Sequence, residues 1–254
     1  MNVTVLGCSG GIGQGLRTTA LLLDDDILID AGTGVGDLSL AQLVAIDHVF
    51  LTHSHLDHIA CLPFLLDSVM GKRAAPVTVY ALPETIDVLK AHIFNWKIWP
   101  DFNQIPDQEQ PFLQYRPLSL GQTFTLNQRM ITALPAHHSV PAVGYLLDSG
   151  VGSLAFSGDT TSCDAFWQQL NQVKNLAHLV IETSFSNAEI ALAQVSRHLC
   201  PSLLLEGLNQ LQSKPQVHIT HLKPGESESI MQEINAYRHA LNPSQLWHGQ
   251  IITL

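Results

Sequence analysis

Phe50-Leu51-Thr52-His53-Ser54-His55-Leu56-Asp57-His58 places four metal-ligating side chains, His53, His55, Asp57 and His58, within six residues directly after the apolar run Ile46 to Leu51. A strand that ends in a loop lets such side chains converge on one point. Neutral imidazoles and a carboxylate suit zinc or a similar borderline cation, with nitrogen ligands at about 2.0–2.1 Å. A solvated histidine-rich loop, or an Asp57 that only caps the next helix, would use the same residue types, but a chance His-x-His-x-Asp-His is rare. Four ligands are too many for one open catalytic zinc and too few for two metals, so distant partners are expected. Three later strand ends offer them: Ala133 to His138, Phe156 to Thr160, and Val217 to His221.

Working outward, the chain of 254 residues is 46% hydrophobic and 13% charged, enough to bury a large core, and no linker divides it. A single domain over residues 1–254 is expected. Met1 to Gly7 already reads as a strand, with no basic segment leading into an apolar one, so a cytoplasmic protein without a secretory signal is expected. No apolar run reaches the roughly 18 residues that cross a bilayer, and no membrane association is expected. The four cysteines Cys8, Cys61, Cys163 and Cys200 form no Cys-x-x-Cys pair and read as free thiols. Twelve Lys and Arg against 22 Asp and Glu give a formal charge of −10, without the cationic footprint that grips a nucleic-acid backbone. Histidine is the compositional outlier, with 13 residues, several of them clustered.

The fold class expected is α/β. Strand patterns cover Val3 to Leu6, Thr19 to Leu23, Ile27 to Asp30, Asp47 to Leu51 and Val77 to Ala81. In the second half they cover Arg129 to Leu134, Val143 to Asp148, Ser153 to Ser157, Leu179 to Glu182 and Gln216 to Thr220. Helices fit Leu38 to Val44, Leu62 to Met70, Pro83 to Phe94, Asp164 to Lys174, Ala188 to Leu199, Pro201 to Gln212 and Glu226 to Leu241, with an irregular stretch from Asn95 to Pro111. Strands grouped in both halves with helices outside them suggest two packed sheets flanked by helices. The glycines of Gly7-Cys8-Ser9-Gly10-Gly11-Ile12-Gly13 precede a strand rather than a helix. They therefore read as a hairpin loop, not a dinucleotide fingerprint.

Thr52-His53-Ser54-His55-Leu56-Asp57-His58, the downstream His138, Ser157-Gly158-Asp159-Thr160 and Thr220-His221-Leu222 together resemble the metallo-β-lactamase superfamily, across essentially the whole chain. The resemblance implies an αββα sandwich of two mixed β-sheets with helices outside. It also implies two divalent metal ions, with zinc expected and Mn²⁺ or Fe²⁺ as alternatives. One would be held by His53, His55 and His138, the other by Asp57, His58 and His221, with Asp159 bridging. His138 is favoured over His137 because the family ligand stands six residues before a Gly-Tyr, here Gly144-Tyr145. His221 is favoured over His218 because the family ligand precedes Leu-Lys-Pro. His137 and His218 then read as supporting or packed histidines.

Ile29-Asp30-Ala31-Gly32-Thr33, Ile98-Trp99-Pro100-Asp101-Phe102 and Thr220-His221-Leu222-Lys223-Pro224 narrow the resemblance to the class II 3′,5′-cyclic-nucleotide phosphodiesterases. The implied reaction is hydrolysis of cyclic AMP or cyclic GMP to the 5′-monophosphate. Asp57 would be a ligand that also orients the attacking water, His198 would protonate the leaving ribose oxygen, and Glu182 would orient an imidazole. A His198 that only caps a helix C-terminus is the plainer alternative. Trp99 and Phe102 are candidates to stack on the base, against the alternative that the Trp96 and Trp99 rings pack a long loop onto the core. Lys223 is a candidate for phosphate contact or an ordinary surface charge.

A transfer-RNA 3′-processing endonuclease of the same fold is the second reading. It shares the His138 and His198 regions, but Asp148-Ser149-Gly150-Val151-Gly152 leaves no room for a long clamping arm and the net charge is adverse. A non-catalytic metal-binding module ranks below both, because none of the seven ligand positions is lost. The expected partner is a small cyclic nucleotide, with no nucleic acid. A homodimer is the expected assembly, symmetric pairing being the commonest arrangement.

Overall fold

The computed structural model describes all residues, 1–254. Fourteen strands form two sheets of seven. The first holds β1 (Asn2–Gly7), β2 (Ala20–Leu23), β3 (Ile27–Ile29), β4 (His48–Phe50), β5 (Val77–Ala81) and β6 (Leu113–Pro117). The second holds β7 (Thr123–Leu126), β8 (Arg129–Pro135), β9 (Val143–Asp148), β10 (Ser153–Phe156), β11 (Leu176–Glu182), β12 (Gln216–Thr220) and β13 (Ser244–Gln245). The last strand, β14 (Ile251–Thr253), returns to pair with β1 in the first sheet. The helices are α1 (Leu40–Ala45), α2 (Leu56–Ile59), α3 (Leu62–Val69), α4 (Pro83–Val88), α5 (Asp164–Leu170), α6 (Ile190–Ser196), α7 (Pro201–Leu208) and α8 (Ser227–Ala236).

Side-chain alternation along the strands builds three apolar layers. Ile27 and Ile29 face the space between the sheets, together with Phe50 and Tyr80, and meet Ile131, Tyr145, Leu154, Phe156 and Val180 of the second sheet. Leu28, Val49, Val77 and Val79 face outward, under Leu62, Leu65, Leu66 and Val69 of α3 and Ile86 of α4. In the second sheet, Ala155, Leu179, Ile181, Val217 and Ile219 face the other way, beneath Phe166 and Trp167 of α5, Leu204 of α7 and Ile230 of α8. Helix, sheet, sheet, helix is the expected sandwich.

Strand direction then delivers the polar residues. β3 to β6 run parallel, and so do β10 to β13. Two antiparallel steps, β10 to β9 and β9 to β8, return β8 to the direction of β10. The carboxyl ends of β8, β10, β11 and β12 therefore share one edge, where open α/β sheets usually bind ligands. The edge is stitched to the first sheet by Tyr145, whose hydroxyl donates to Leu51 O at 2.6 Å, and by Val143 N, which donates to Thr52 O at 3.0 Å.

Several expected elements differ in extent. The Pro83 to Phe94 helix is α4 followed by a wider π turn over Leu89–Ile93. The Ala188 to Leu199 helix ends at Ser196, because Arg197 takes a left-handed φ of 57° and turns His198 off the axis. Strands β6, β7, β13 and β14 have no counterpart in the sequence reading. All four are edge strands with mostly exposed or half-buried residues, so none carries a buried apolar run. No helix is long and apolar enough to cross a membrane.

Candidate metal centre

His53 and His55 leave the end of β4, and Asp57 and His58 sit on the single-turn helix α2. His138 follows β8, Asp159 follows β10 and His221 follows β12. The seven residues form two groups that share Asp159: His53, His55, His138 and Asp159, and Asp57, His58, Asp159 and His221. Within each group the ligand atoms lie within 4.8 Å of one another. His55 Nδ1 is 3.1 Å from His138 Nε2, His221 Nε2 is 3.2 Å from both Asp57 Oδ2 and Asp159 Oδ2, and His58 Nε2 is 3.3 Å from Asp159 Oδ1. A tetrahedral ion with bonds of 2.0–2.1 Å spaces its ligand atoms about 3.3 Å apart, so the donor set fits cations of that size.

Two backbone features permit this convergence. Gly158 takes a φ of +59°, and a Cβ there would stand 2.8 Å from Val143 O; this tight turn presents Asp159. Gly10 lies so close to the last ligand position that a Cβ would stand 2.5 Å from His221 O and 2.8 Å from His221 Nδ1. His221 itself has a left-handed φ of 62°, a costly conformation for a side-chain-bearing residue, and its N–H donates to Cys8 O at 2.8 Å. The glycine loop is thus a close support of the site, as well as the β1–β2 hairpin expected from sequence.

In four of the five rings Nδ1 meets a group outside the ligand set, which leaves Nε2 turned to the cluster. Thr52 Oγ1 lies 2.9 Å from His53 Nδ1, Asp30 Oδ2 lies 2.6 Å from His58 Nδ1, Arg197 O lies 3.0 Å from His138 Nδ1, and Ser184 Oγ lies 3.0 Å from His221 Nδ1. His53 Nε2 and His58 Nε2 are fully buried without a hydrogen-bond partner. Orphaned buried nitrogens are costly unless something else binds them, and a cation is the ligand this donor set suits. Sequence reading missed Asp30, Thr52, Ser184 and Arg197 as supports. Asp30 carried a signal, an acidic residue closing an apolar strand, which the structure places in a left-handed φ of 59°.

The electrostatics agree with a neutral ligand role for three of the histidines, whereas at His58 burial is outweighed by Asp159 and Asp30, which hold its imidazole well above the ordinary value. Burial pushes the imidazoles of His53, His55 and His138 down, toward the neutral form that binds metals. Burial alone would raise Asp159, but the charges of His221 and His58 outweigh it and hold its carboxyl well below the usual carboxylate range. Asp57 is likewise lowered, burial being overcome by the hydrogen bond from His221 and the charge of His58.

Beside the cluster stands a buried pair. His198 Nδ1 lies 2.7 Å from Glu182 Oε1, and its ring centroid is 4.9 Å from that of His138 and 5.2 Å from that of His221. Glu182 ends β11 and also accepts from Thr160 N at 3.0 Å and Leu199 N at 3.2 Å. Burial lowers His198, yet Glu182 outweighs it and the imidazole ends above its ordinary value. His198 does follow a helix end, as the capping reading expected, and its N–H donates to Ala193 O at 2.9 Å. Its ring nonetheless turns toward the cluster.

The expected substrate contacts fare differently. Phe102 is 1% exposed, packed edge-on against Phe94 and Phe112 in the outer core, so its ring has no free face for a base. That expectation is corrected. Aromatic residues in a Pro- and Asn-rich stretch look alike in sequence whether they plug the core or line a pocket. Trp99 packs against Phe64, with centroids 5.2 Å apart, and joins the same core, whereas Trp96 is exposed. Neither Trp99 nor Phe102 makes a hydrogen bond or ring contact with the seven clustered residues. Lys223 is near the site, its Nζ donating to Gly10 O at 2.9 Å and standing 5.9 Å over the Phe185 ring. His137 is exposed, its backbone N–H donating to Thr160 Oγ1 at 2.9 Å, while His218 is buried and stacks on His178.

Known proteins resemble this chain in sequence and fold. The family model described as "Beta-lactamase superfamily domain" matches residues 25–241. A probable 3′,5′-cyclic-nucleotide phosphodiesterase of Yersinia pestis is 27% identical over 276 aligned residues, covering 87% of this chain and 78% of that protein. A ribonuclease Z of Mycobacterium bovis is 29% identical over 197 residues, covering 71% of this chain and 70% of its own. Among solved structures, unliganded yeast PDE1 superposes with a TM-score of 0.81 at 20% identity, covering 100% of this chain and 99% of that one.

Proposed function

Because the chain belongs to the β-lactamase superfamily, we propose that it is a binuclear-metal phosphodiesterase that hydrolyses 3′,5′-cyclic nucleotides to 5′-monophosphates. The observation that carries this reading is the buried Glu182–His198 pair set against two ligand groups that share Asp159. The similarity to the Yersinia protein, over most of both chains, supports the cyclic-nucleotide substrate. In this reading His53, His55 and His138 hold one cation, Asp57, His58 and His221 the other, and Asp159 both, with zinc the best match to the ligands and Mn²⁺ or Fe²⁺ the alternatives. Two such cations would supply Lewis-acid polarisation of the phosphoryl oxygens and activation of the attacking water.

The chain's own residues supply the rest. Water attacks phosphorus, the bond to the ribose 3′ oxygen breaks, and that oxygen needs a proton as it leaves. His198 is the donor: Glu182 occupies Nδ1, which leaves Nε2 to carry the proton to the oxygen. Asp57, with its side chain 29% exposed, is the carboxylate ligand placed to orient the water. Lys223 offers a cation to the phosphate, and Trp99 stays a candidate base contact only if the surrounding aromatic stretch shifts.

Ribonuclease Z chemistry is the second reading, favoured by the Mycobacterium relative. The formal charge of −10 and the tight Ser149 to Gly152 turn between β9 and β10 argue for a small substrate. Purified protein with Zn²⁺ or Mn²⁺ is to be given cyclic AMP, cyclic GMP and precursor transfer RNA in parallel, beside an Asp57→Ala control. Release of 5′-AMP or 5′-GMP that the control abolishes is expected, and cleavage of transfer RNA alone would transfer the assignment. His198→Ala should slow cyclic AMP hydrolysis by about 10²–10⁴-fold. The loss should be much smaller for bis-p-nitrophenyl phosphate, whose leaving group needs no proton. Equal losses on both substrates would remove His198 from the donor role.

A further inference from the structure

We infer that Ser184 is a positioning residue: its hydroxyl joins the His221 ligand position to the Glu182–His198 pair and decides which nitrogen of His221 faces a cation. The inference rests on the ligand role proposed above for His221.

The Ser184 side chain is fully buried, and its single oxygen has three neighbours: Glu182 Oε2 at 3.1 Å, His221 Nδ1 at 3.0 Å and His198 Nδ1 at 3.2 Å. A hydroxyl has one hydrogen to give and two lone pairs to offer. Glu182 is an acceptor on both oxygens, so the Ser184 hydrogen points at Oε2. If it pointed at His221 instead, the lone pairs of Ser184 and Glu182 would face each other at 3.1 Å in a buried site, an unpaired arrangement that is costly. With the hydrogen committed to Glu182, the oxygen accepts from His221, and Nδ1 must carry that proton. Nε2 is then the nitrogen whose proton a cation replaces, beside Asp57 Oδ2 and Asp159 Oδ2, each 3.2 Å away. Two carboxylate oxygens and this nitrogen converge there as the ligand atoms for a cation.

The same hydroxyl thus gives the carboxylate that holds His198 a mechanical link to a ligand ring. His198 Nδ1 donates to Glu182 Oε1 at 2.7 Å, so its longer approach to Ser184 is the weaker of its two contacts. A change at Ser184 should loosen the His221 cation and displace Glu182 together, without touching the group of His53, His55 and His138.

The test is zinc affinity by competition titration, with kcat and KM for cyclic AMP, on wild type, Ser184→Ala and Ser184→Thr. Alanine should leave the first zinc equivalent unchanged and weaken the second about 10–100-fold, the usual effect of losing a partner of a ligand histidine. It should lower kcat more than it raises KM. Threonine keeps the hydroxyl and should restore the second affinity. In the zinc-loaded wild type, ¹H–¹⁵N correlation spectra should show His221 protonated at Nδ1, and this resonance should lose its exchange protection in the alanine variant. Equal zinc affinities in wild type and Ser184→Ala, or His221 protonated at Nε2, would overturn the inference. If Ser184→Ala fails to fold, the wild-type spectrum and the threonine variant still decide it. Two zinc ions bound without turnover would sink the phosphodiesterase reading alone, whereas a wild type that takes up no zinc would overturn both.

Discussion

Asp30 shows how far the site extends beyond the residues that touch a cation. Its buried carboxylate accepts from Thr52 N at 2.7 Å and from Thr52 Oγ1, and meets His58 Nδ1 at 2.6 Å. This contact fixes the proton on Nδ1 and turns Nε2 to the cluster. Asp30→Asn keeps the shape and removes the charge, so zinc affinity at the His58 position should fall about tenfold or more. An unchanged titration would mean that Thr52 alone orients His58. The four clustered residues of Thr52 to His58 were legible because strand, loop and ligand chemistry coincide in one short stretch. Asp159 and His221 were legible as polar residues closing apolar strands. Ser184 and Arg197 were not, because their value lies in which ring nitrogen they meet, and adjacency in sequence does not encode that.

At the scale of elements, the mostly buried runs of β5, β9 and β12 made their limits readable to the residue, since both faces of each strand are committed to a core or to the site. The edge strands β6 and β7 bury too little on either face to announce themselves. One inter-sheet tie is equally invisible from sequence. Arg129, at the start of β8, reaches across to the turn between β2 and β3, its Nη2 donating to Asp26 Oδ2 at 2.7 Å and its Nη1 to Asp24 Oδ2 at 3.2 Å. The Arg129 guanidinium holds the Asp26 carboxyl below its ordinary value. A depressed folded-state value stabilises above the unfolded pKa near 4 and is lost as pH falls through the folded one. Arg129→Met should therefore cost about 1–2 kcal/mol at pH 7, a range discounted for partial exposure. The gap in unfolding midpoint between the two proteins should narrow below about pH 4. A gap that does not change with pH would assign the loss to packing.

For the whole molecule, the apolar layer between the sheets draws on both halves of the chain, and we propose that residues 1–254 unfold as one unit. Binding two cations only in the folded state adds RT ln(1 + [L]/Kd) for each, about 2.7 kcal/mol at a hundredfold excess over Kd. Chelation should then lower the unfolding midpoint by several degrees and keep a single transition; two transitions would split the chain into independently folding parts. The homodimer expected from sequence is to be read from the same samples by light scattering, with a monomer mass contradicting it.

Cyclic AMP turnover, followed as metal-free protein is titrated with zinc, tests most directly whether two cations held by seven side chains hydrolyse a cyclic phosphodiester. The rate should climb to a plateau at two equivalents, with 5′-AMP as the product. Two zinc ions bound with no release of 5′-AMP would contradict the phosphodiesterase reading.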